Sequence, residues 1–224
     1  LSMLFALVAA VLSAFLDALT VTAVVIAVAT GFYGVYHKVA SGLKHDADNH
    51  DASHDGNVQE HRRDDLEQFR AFLRNLMMHA AIGTALGGVA TIVGEPQNLL
   101  IGNIMGWDFV EFYLRVMPVS LPVLFVGLAT TFIVEKFKIV GYGTELPEHV
   151  RSILETYDAE QTAKLTKRDI MTMWVQAAVA VFLVVCLALH LAEVGIIGLA
   201  VIVLATSFNG ITDEHRIGHA FQEA

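Results

Sequence analysis

A single carboxylate inside a long apolar run is the first feature of this sequence that could do chemistry. Asp17 lies near the centre of residues 2–36, where the other polar side chains are serine, threonine and tyrosine. An ionisable group at that depth costs about 3 kcal/mol on insertion scales and is usually kept for a function. A proton and a cation would compete for this one carboxylate, and such competition produces exchange. Asp17 is therefore predicted to bind a cation and to carry a proton, with Thr20 in the same polar cluster.

A structural role for Asp17 is the alternative. If the run folds as two helices, Asp17 would precede the second one. Its carboxylate could then accept hydrogen bonds from backbone N–H groups near Thr20 and cap that helix. The two roles are compatible.

A second polar cluster, Gly94–Asn98, interrupts the apolar run at residues 75–105. Pro96 has no N–H and crowds the carbonyl four residues earlier, so the helix is predicted to open within Gly94–Asn98. The freed carbonyl groups and the side-chain oxygen of Asn98 are hard oxygen ligands, of the kind that discontinuous transporter helices offer to sodium. Glu95 could balance the charge. The alternative is a kink packed by glycines for close helix contact.

Two further groups of titratable residues occur. His190 and Glu193 lie at the outer end of a later apolar run, where a titrating pair could sense pH, although ordinary interfacial residues are the alternative. The run from His45 to Asp55 is rich in His and Asp but irregularly spaced and poor in apolar residues, so a solvated, poorly ordered loop is predicted instead of a metal site. No phosphate-binding loop, H-E-x-x-H pair or G-x-S-x-G elbow occurs, which argues against an ATP-driven pump or a hydrolase.

Composition places these residues in a lipid bilayer. Of the 224 residues 55% are hydrophobic, and the mean hydropathy is +0.57, values that do not suit a soluble domain. The formal charge of −9 comes mostly from polar connections, and no basic face suited to nucleic acid is visible. The start at Leu1 and the helical character of the last residues predict a piece of a longer protein.

The apolar runs are long enough to cross a hydrocarbon core of about 30 Å. Residues 37–74 and 136–169 carry most of the lysine and arginine, so both are predicted to be cytoplasmic. Residues 75–135 would cross out through the broken helix and return through the next one. Residues 170–224 would add two more transmembrane helices.

Residues 1–36 are too long for one crossing, because residues 2–36 alone would measure about 52 Å as a helix. A re-entrant helix hairpin that turns near Asp17–Thr20 is predicted instead. Such a turn is tolerated at membrane depth only where protein or a water-filled cavity surrounds it. The predicted fold is therefore an all-α polytopic membrane protein with a re-entrant hairpin and a broken transmembrane helix.

Three stretches of the sequence, Phe15–Thr22, Gly94–Leu100 and Leu189–Gly195, resemble the NhaB family of sodium/proton antiporters. The resemblance runs over essentially the whole chain. It implies a multi-pass protein of the bacterial inner membrane that exports sodium in exchange for protons. It implies no enzymatic activity and no cofactor besides the transported sodium and protons, and it leaves a homo-oligomer open.

That family belongs to a wider superfamily with arsenite and dicarboxylate carriers, whose fold has two inverted repeats, each with a re-entrant hairpin and a broken helix. The chain would cover the later part of repeat one and the start of repeat two. By position, the resemblance implies an ion-binding and proton-coupling site at Asp17, Thr20, Gly94, Glu95 and Asn98, with Asp17 and Asn98 as sodium ligands.

Two alternatives stay open. An anion or dicarboxylate carrier could use the same scaffold, but Asp17 falls in the hairpin motif where dicarboxylate carriers typically have Ser-Asn-Thr, and an acid disfavours an anionic substrate. An intramembrane enzyme or a non-transporting membrane scaffold is the alternative from another class.

Overall fold

The computed structural model describes residues 2–44, 51–189 and 191–208. All regular secondary structure in these residues is helical. The α-helices are α1 (Ser2–Ser13), α2 (Ala18–Ala40), α3 (Arg63–Gly88), α4 (Pro96–Met105), α5 (Phe109–Lys136), α6 (Glu148–Lys164), α7 (Lys167–Ala188) and α8 (Val194–Phe208). Short 3₁₀ turns occur at Asp55–Asn57, Glu60–Arg62 and Ile139–Gly141.

Three of the described helices, α2, α5 and α7, are long and apolar enough to cross a membrane. The prediction of an all-α membrane protein is confirmed. Helices α1 and α8 are apolar but have only 12 and 15 residues. At 1.5 Å per residue α1 measures about 18 Å, which is little more than half of a hydrocarbon core.

The structure divides the first apolar run at residues 14–17, slightly before the turn that the sequence places near Asp17–Thr20. Helix α1 ends at Ser13, and α2 begins at Ala18 with Asp17 as its N-cap. Asp17 has φ −57° and ψ 141°, and its side chain accepts a hydrogen bond from the N–H of Thr20. A short polar side chain thereby satisfies a backbone donor that has no partner within the helix. Re-entry of this hairpin from one membrane face stays a prediction.

The break between α3 and α4 begins earlier than predicted. Helix α3 ends at Gly88 and α4 begins at Pro96, so residues 89–95 are not helical, whereas the sequence placed the opening within Gly94–Asn98. Pro96 occupies the first turn of α4, where its missing N–H has no intrahelical partner to lose. Glu95 before it is extended, with φ −144° and ψ 146°, as the residue before a proline usually is. Asn98 is therefore helical.

Helix also extends further into the polar stretches than predicted. Both ends of residues 37–74 are helical, since α2 continues to Ala40 and α3 begins at Arg63. The reason is an amphipathic pattern at the start of α3, whose buried apolar side chains recur every three or four residues. Residues 136–169 likewise contain α6. One core joins these elements, and its members include Tyr36, Val58, Leu66, Phe69, Leu73, Leu76 and Val150.

Helices α1 and α3 run side by side in the same direction at very short range. A Cβ atom on Gly83 would lie 2.2 Å from the carbonyl oxygen of Ala6, and one on Gly87 would lie 1.9 Å from that of Ala10. No side chain fits at either distance, so glycine is required at both positions. Small residues of this kind allow membrane helices to approach closely. The contact brings the end of α1 to the end of α3.

The chain forms two compact units, Leu1–Trp107 with Glu111–Gln161, and Asp108–Val110 with Thr162–Ala224. The first contains the hairpin, the broken helix and the core described above. In the second, α7 begins with a capping box between Thr166 and Asp169. Its buried residues include Cys186 and Leu187 of α7 and Ile197 of α8.

Candidate functional site

The carboxylate of Asp17 binds the first turn of its own helix. Its Oδ2 accepts hydrogen bonds from the backbone N–H of Thr20 at 3.2 Å and from the Thr20 hydroxyl at 3.3 Å. Asp17 is half-buried and Thr20 is exposed. No lysine, arginine or histidine in the described part of the chain forms an ion pair with Asp17. Asp17 thus caps α2, and its negative charge has no fixed counter-charge.

Asn98 ties the two ends of the broken helix together. It is 7% exposed, and its Nδ2 donates to the carbonyl oxygens of Gly88 and Thr91, both at 2.9 Å. Because α3 stops at Gly88, these carbonyl oxygens do not receive the hydrogen bonds that a continuous helix would supply. The side chain therefore satisfies backbone acceptors that the break exposes. Its predicted role as a sodium ligand stays a prediction.

The hairpin turn lies directly against this break. The hydroxyl of Thr91 donates a hydrogen bond to the carbonyl oxygen of Ala14. A Cβ atom on Gly94 would lie 2.8 Å from the carbonyl oxygen of Ser13 and 2.3 Å from that of Gly88. The structure thus brings the end of α1 and the residues of the turn that follow it against the break, while contact of Asp17 and Thr20 themselves with Gly94–Asn98 stays a prediction. Among the described residues, the hydrogen bonds of the Asp17 side chain go to Thr20 alone.

Glu95 is a second carboxylate with only neutral partners. It is half-buried at the N-cap position of α4, but its side chain makes no capping hydrogen bond. Its Oε2 accepts from the side-chain amide of Gln97. Its Oε1 lies 3.0 Å from the position that a Cβ atom on Gly88 would take. Glu95 therefore faces the end of α3, and no ion pair in the described residues includes it.

Sequence reasoning missed Ser13. This residue is 0% exposed, and its hydroxyl has no hydrogen-bond partner in the described structure. The hydroxyl oxygen lies 3.1 Å from the Cβ position of Gly88. A serine in an apolar helix is common. The one feature of the sequence that could have singled out Ser13 was its place four residues before Asp17, next to the predicted turn.

The remaining titratable candidates are not assembled by the described residues. His190 lies outside them. Glu193 is exposed, and its carbonyl oxygen accepts from the N–H groups of Ile196 and Ile197 at 2.9 and 3.1 Å at the start of α8. Residues 45–50 of the run rich in His and Asp also lie outside, and the described residues contain no group of three or more potential metal-binding side chains.

A charged network of another kind lies at the far end of α2. Asp55 accepts hydrogen bonds from Arg70 at 2.6 and 2.8 Å, and its Oδ1 lies 3.3 Å from Nε2 of His37. Arg70 also donates to the hydroxyl of Tyr33 at 3.1 Å. The hydrogen bonds from Arg70 lower the pKa of Asp55 to about 2. The run His45–Asp55 is therefore not solvated throughout, because its last residue is fixed to α2 and α3.

Known proteins match this chain over its whole length. The profile of the family described as Bacterial Na+/H+ antiporter B (NhaB) matches residues 1–224. Proteins named Na(+)/H(+) antiporter NhaB from Saccharophagus degradans, Marinobacter nauticus and Vibrio atlanticus are 65%, 61% and 60% identical to it over all 224 residues. No solved structure shows a significant match.

The matched region is only part of each relative. It spans 100% of this chain but 45% of the first two relatives and 42% of the third. The chain therefore spans less than half the length of these curated relatives. The resemblance over the whole chain is confirmed, and the chain belongs to the NhaB family of bacterial sodium/proton antiporters.

Proposed function

We propose that the full-length protein containing this chain exchanges sodium for protons across the bacterial inner membrane. The observation that carries the proposal is the meeting of a helix break and a hairpin turn beside two carboxylates, Asp17 and Glu95, that have no fixed cationic partner in the described residues. Relatives that match the whole chain are named sodium/proton antiporters. The proposed direction is sodium outward, driven by protons moving inward.

The chemistry follows from what a carboxylate can hold. It binds either a proton or a sodium ion, and each excludes the other by occupying the same negative charge. Thr20 and the backbone near Gly94 supply neutral oxygen atoms nearby, and Asn98 holds the break in shape. Alternating access of this site to the two sides of the membrane would couple the two flows. Sodium, protons and the lipid bilayer are the partners, and no organic cofactor is required.

An anion or dicarboxylate carrier is not favoured by any observation. An anionic substrate would need cationic side chains or unopposed N–H groups. In the described residues no lysine or arginine hydrogen-bonds to the hairpin turn or to the break, while two carboxylates lie there. The proposed function includes no catalytic step.

The decisive experiment replaces Asp17→Asn in the full-length protein reconstituted in vesicles. Asparagine caps a helix about as well as aspartate does, so folding should survive. It neither holds a proton nor offers a full negative charge, so exchange should fall at least tenfold. Sodium is added outside an acid-loaded interior, and an internal pH dye reports the alkalinisation. Asp158→Asn, at an exposed position on α6, is the matched control and should exchange normally.

Two results would contradict the proposal at different levels. Near-normal exchange by well-inserted Asp17→Asn would show that Asp17 is not the coupling carboxylate, and Glu95→Gln would then be tested in the same way. A wild-type protein without sodium-dependent proton flux would refute sodium/proton exchange itself.

A pH-sensing role for His190 and Glu193 is a separate part of the proposal. If this pair senses pH, replacing Glu193→Gln should shift the pH profile of exchange while the maximal rate is kept. An unchanged profile would remove this pair from the mechanism.

A further inference from the structure

The hydroxyl of Ser13 lacks the partner that buried hydroxyls normally have. It is 0% exposed at the last position of α1 and makes no hydrogen bond in the described structure. Burying a hydroxyl without a hydrogen bond costs free energy, because its bonds to water are lost. A ligand that is bound during transport would remove that cost.

Several threonines on the apolar helices satisfy their hydroxyl groups locally. A serine or threonine in a membrane helix commonly donates to the carbonyl three or four residues earlier. Ser13 does not. The threonines that do so in this chain are Thr22, Thr30, Thr130, Thr131 and Thr206.

Two glycines let oxygen atoms approach one another beside Ser13. The Cβ position of Gly88 lies 3.1 Å from the hydroxyl oxygen of Ser13 and 3.0 Å from Oε1 of Glu95. The Cβ position of Gly94 lies 2.8 Å from the carbonyl oxygen of Ser13 and 2.3 Å from that of Gly88. Because neither glycine has a side chain, one hydroxyl, one carboxylate and two backbone carbonyls lie close together here.

This donor set suits a small hard cation. Carboxylate, carbonyl and hydroxyl oxygens are the ligands that such cations take in proteins. The carboxylate supplies a negative charge, and the neutral oxygens complete the shell without adding repulsion. An anion would find a single donor among the side chains named, the hydroxyl of Ser13, and would be repelled by the carboxylate of Glu95.

We propose that Ser13 is a sodium ligand, which holds the ion from the α1 side of the hairpin opposite Glu95. The inference rests on the proposed exchange of sodium and assigns to that site a residue outside the hairpin-tip and broken-helix motifs. A side chain at Gly88 or Gly94 would press on these oxygen atoms, so glycine at both positions permits their close approach.

The test is Ser13→Ala in the full-length protein, with two separate readouts. In vesicles the apparent KM for sodium should rise about tenfold, as expected when a metal site loses one supporting group. The maximal rate at saturating sodium should be nearly kept, because the carboxylates are unchanged. In detergent, the rise in Tm on adding sodium in place of choline should shrink, since a weaker ligand stabilises less at a given concentration.

Matched variants separate binding from packing. Ser41→Ala removes another buried hydroxyl oxygen that has no partner among the described residues, at the C-cap of α2 and so at the opposite end of that helix from the hairpin turn, and should leave the KM for sodium unchanged. Ser13→Thr keeps a hydroxyl and should retain most of the affinity. If Ser13→Ala does not insert, Ser13→Cys is used, whose soft sulfur is a poor sodium ligand.

The outcomes are distinct from those of the proposed function. A normal KM and a normal sodium-dependent Tm shift in Ser13→Ala, or in Ser13→Cys where that variant replaces it, would overturn the inference and leave a buried water as the partner of the hydroxyl. A wild-type protein without sodium-dependent proton flux would instead refute exchange. Even then, a sodium-dependent Tm shift that is present in the wild type and lost in Ser13→Ala would support Ser13 as a sodium ligand.

Discussion

The two ends of α2 hold carboxylates in opposite electrostatic settings. At its C-terminal end Asp55 binds Arg70 and lies beside His37. At its N-terminal end Asp17 accepts hydrogen bonds from the neutral Thr20 alone among described residues. A carboxylate that already has a fixed guanidinium partner serves structure, whereas one without such a partner keeps its charge available for a mobile cation.

The geometry at Asp55 explains why that carboxylate is not free to exchange ions. Both of its oxygens accept from the guanidinium of Arg70, at 2.6 and 2.8 Å. Two parallel charge-assisted hydrogen bonds are among the stronger polar contacts in proteins. A sodium ion would have to displace a tethered cation there. At the hairpin turn a sodium ion would have no such cation to displace among the described residues.

The largest effect is expected where the hairpin packs on α3, because the proposed ion site depends on that contact. Gly87→Ala would place a Cβ atom 1.9 Å from the carbonyl oxygen of Ala10. We expect exchange to be lost and the free energy of unfolding to fall by about 1–3 kcal/mol, the usual cost of overpacking. Vesicle flux and thermal unfolding in detergent measure the two effects.

Gly34→Ala is the control for that variant. Gly34 also lies in a helix, but nothing lies within 4 Å of its Cβ position. Alanine should therefore leave exchange intact and should not lower stability, because its helix propensity is higher than that of glycine. Full activity of Gly87→Ala would mean that α1 does not pack on α3 as described.

The same substitution, aspartate to asparagine, at the two ends of α2 tests the difference between these two carboxylates directly. Asp55→Asn should lower the free energy of unfolding by about 1 kcal/mol, the upper range for a partly exposed ion pair, and leave the KM for sodium unchanged. Its side chain is 42% exposed, which limits the loss. Asp17→Asn should instead leave the free energy of unfolding nearly unchanged and weaken sodium binding. Equal effects of the two variants on sodium affinity would remove the distinction between a structural and a functional carboxylate.

The pH dependence of stability should carry the signature of Asp55. Its pKa is lowered from 3.8 to about 2 by Arg70, so folding favours the charged form. The stabilisation is therefore complete above about pH 4 and is lost as the pH falls toward 2. The difference in unfolding free energy between wild type and Asp55→Asn should be constant from about pH 5 upward and shrink below pH 4. A difference that grows on acidification would contradict this sign.

The smallest effect is expected at the exposed edge of the network. Glu67 lies 2.7 Å from Arg70, with its side chain 70% exposed. Glu67→Gln should change the free energy of unfolding by less than about 0.5 kcal/mol, because an exposed ion pair in water contributes little. A loss as large as that of Asp55→Asn would show that the network depends on its surface partner.

The sequence predicted the parts of this arrangement that depend on local chemistry. Asp17 marks the hairpin turn because a charge is costly inside an apolar helix and caps well at the start of one. Pro96 marks the broken helix because a proline has no N–H to donate within a helix and therefore lies in the first turn of one. The start of α3 was also readable, since Leu66, Phe69 and Leu73 follow helical spacing, but its charged residues suggested a loop.

The rest depends on contacts between segments far apart in the chain. That α3 stops at Gly88 instead of nearer Pro96 reflects the arrival of α1 and the Asn98 amide, and neither leaves a mark in the local sequence. Ser13 has the same appearance as any serine on an apolar helix, and only the fold shows that its hydroxyl has no carbonyl to bind. The pairing of Asp55 with Arg70 needed the fold for the same reason.

The glycine contact between α1 and α3 has a mechanical consequence. At Ala6, Ala10, Gly83 and Gly87 the backbone of α1 meets the backbone of α3 at short range. A shift of α1 by one residue along its axis is about 1.5 Å. Metal–ligand distances tolerate only about 0.2 Å. A displacement far smaller than a domain movement would therefore be enough to assemble or dismantle a coordination shell that α1 helps to form.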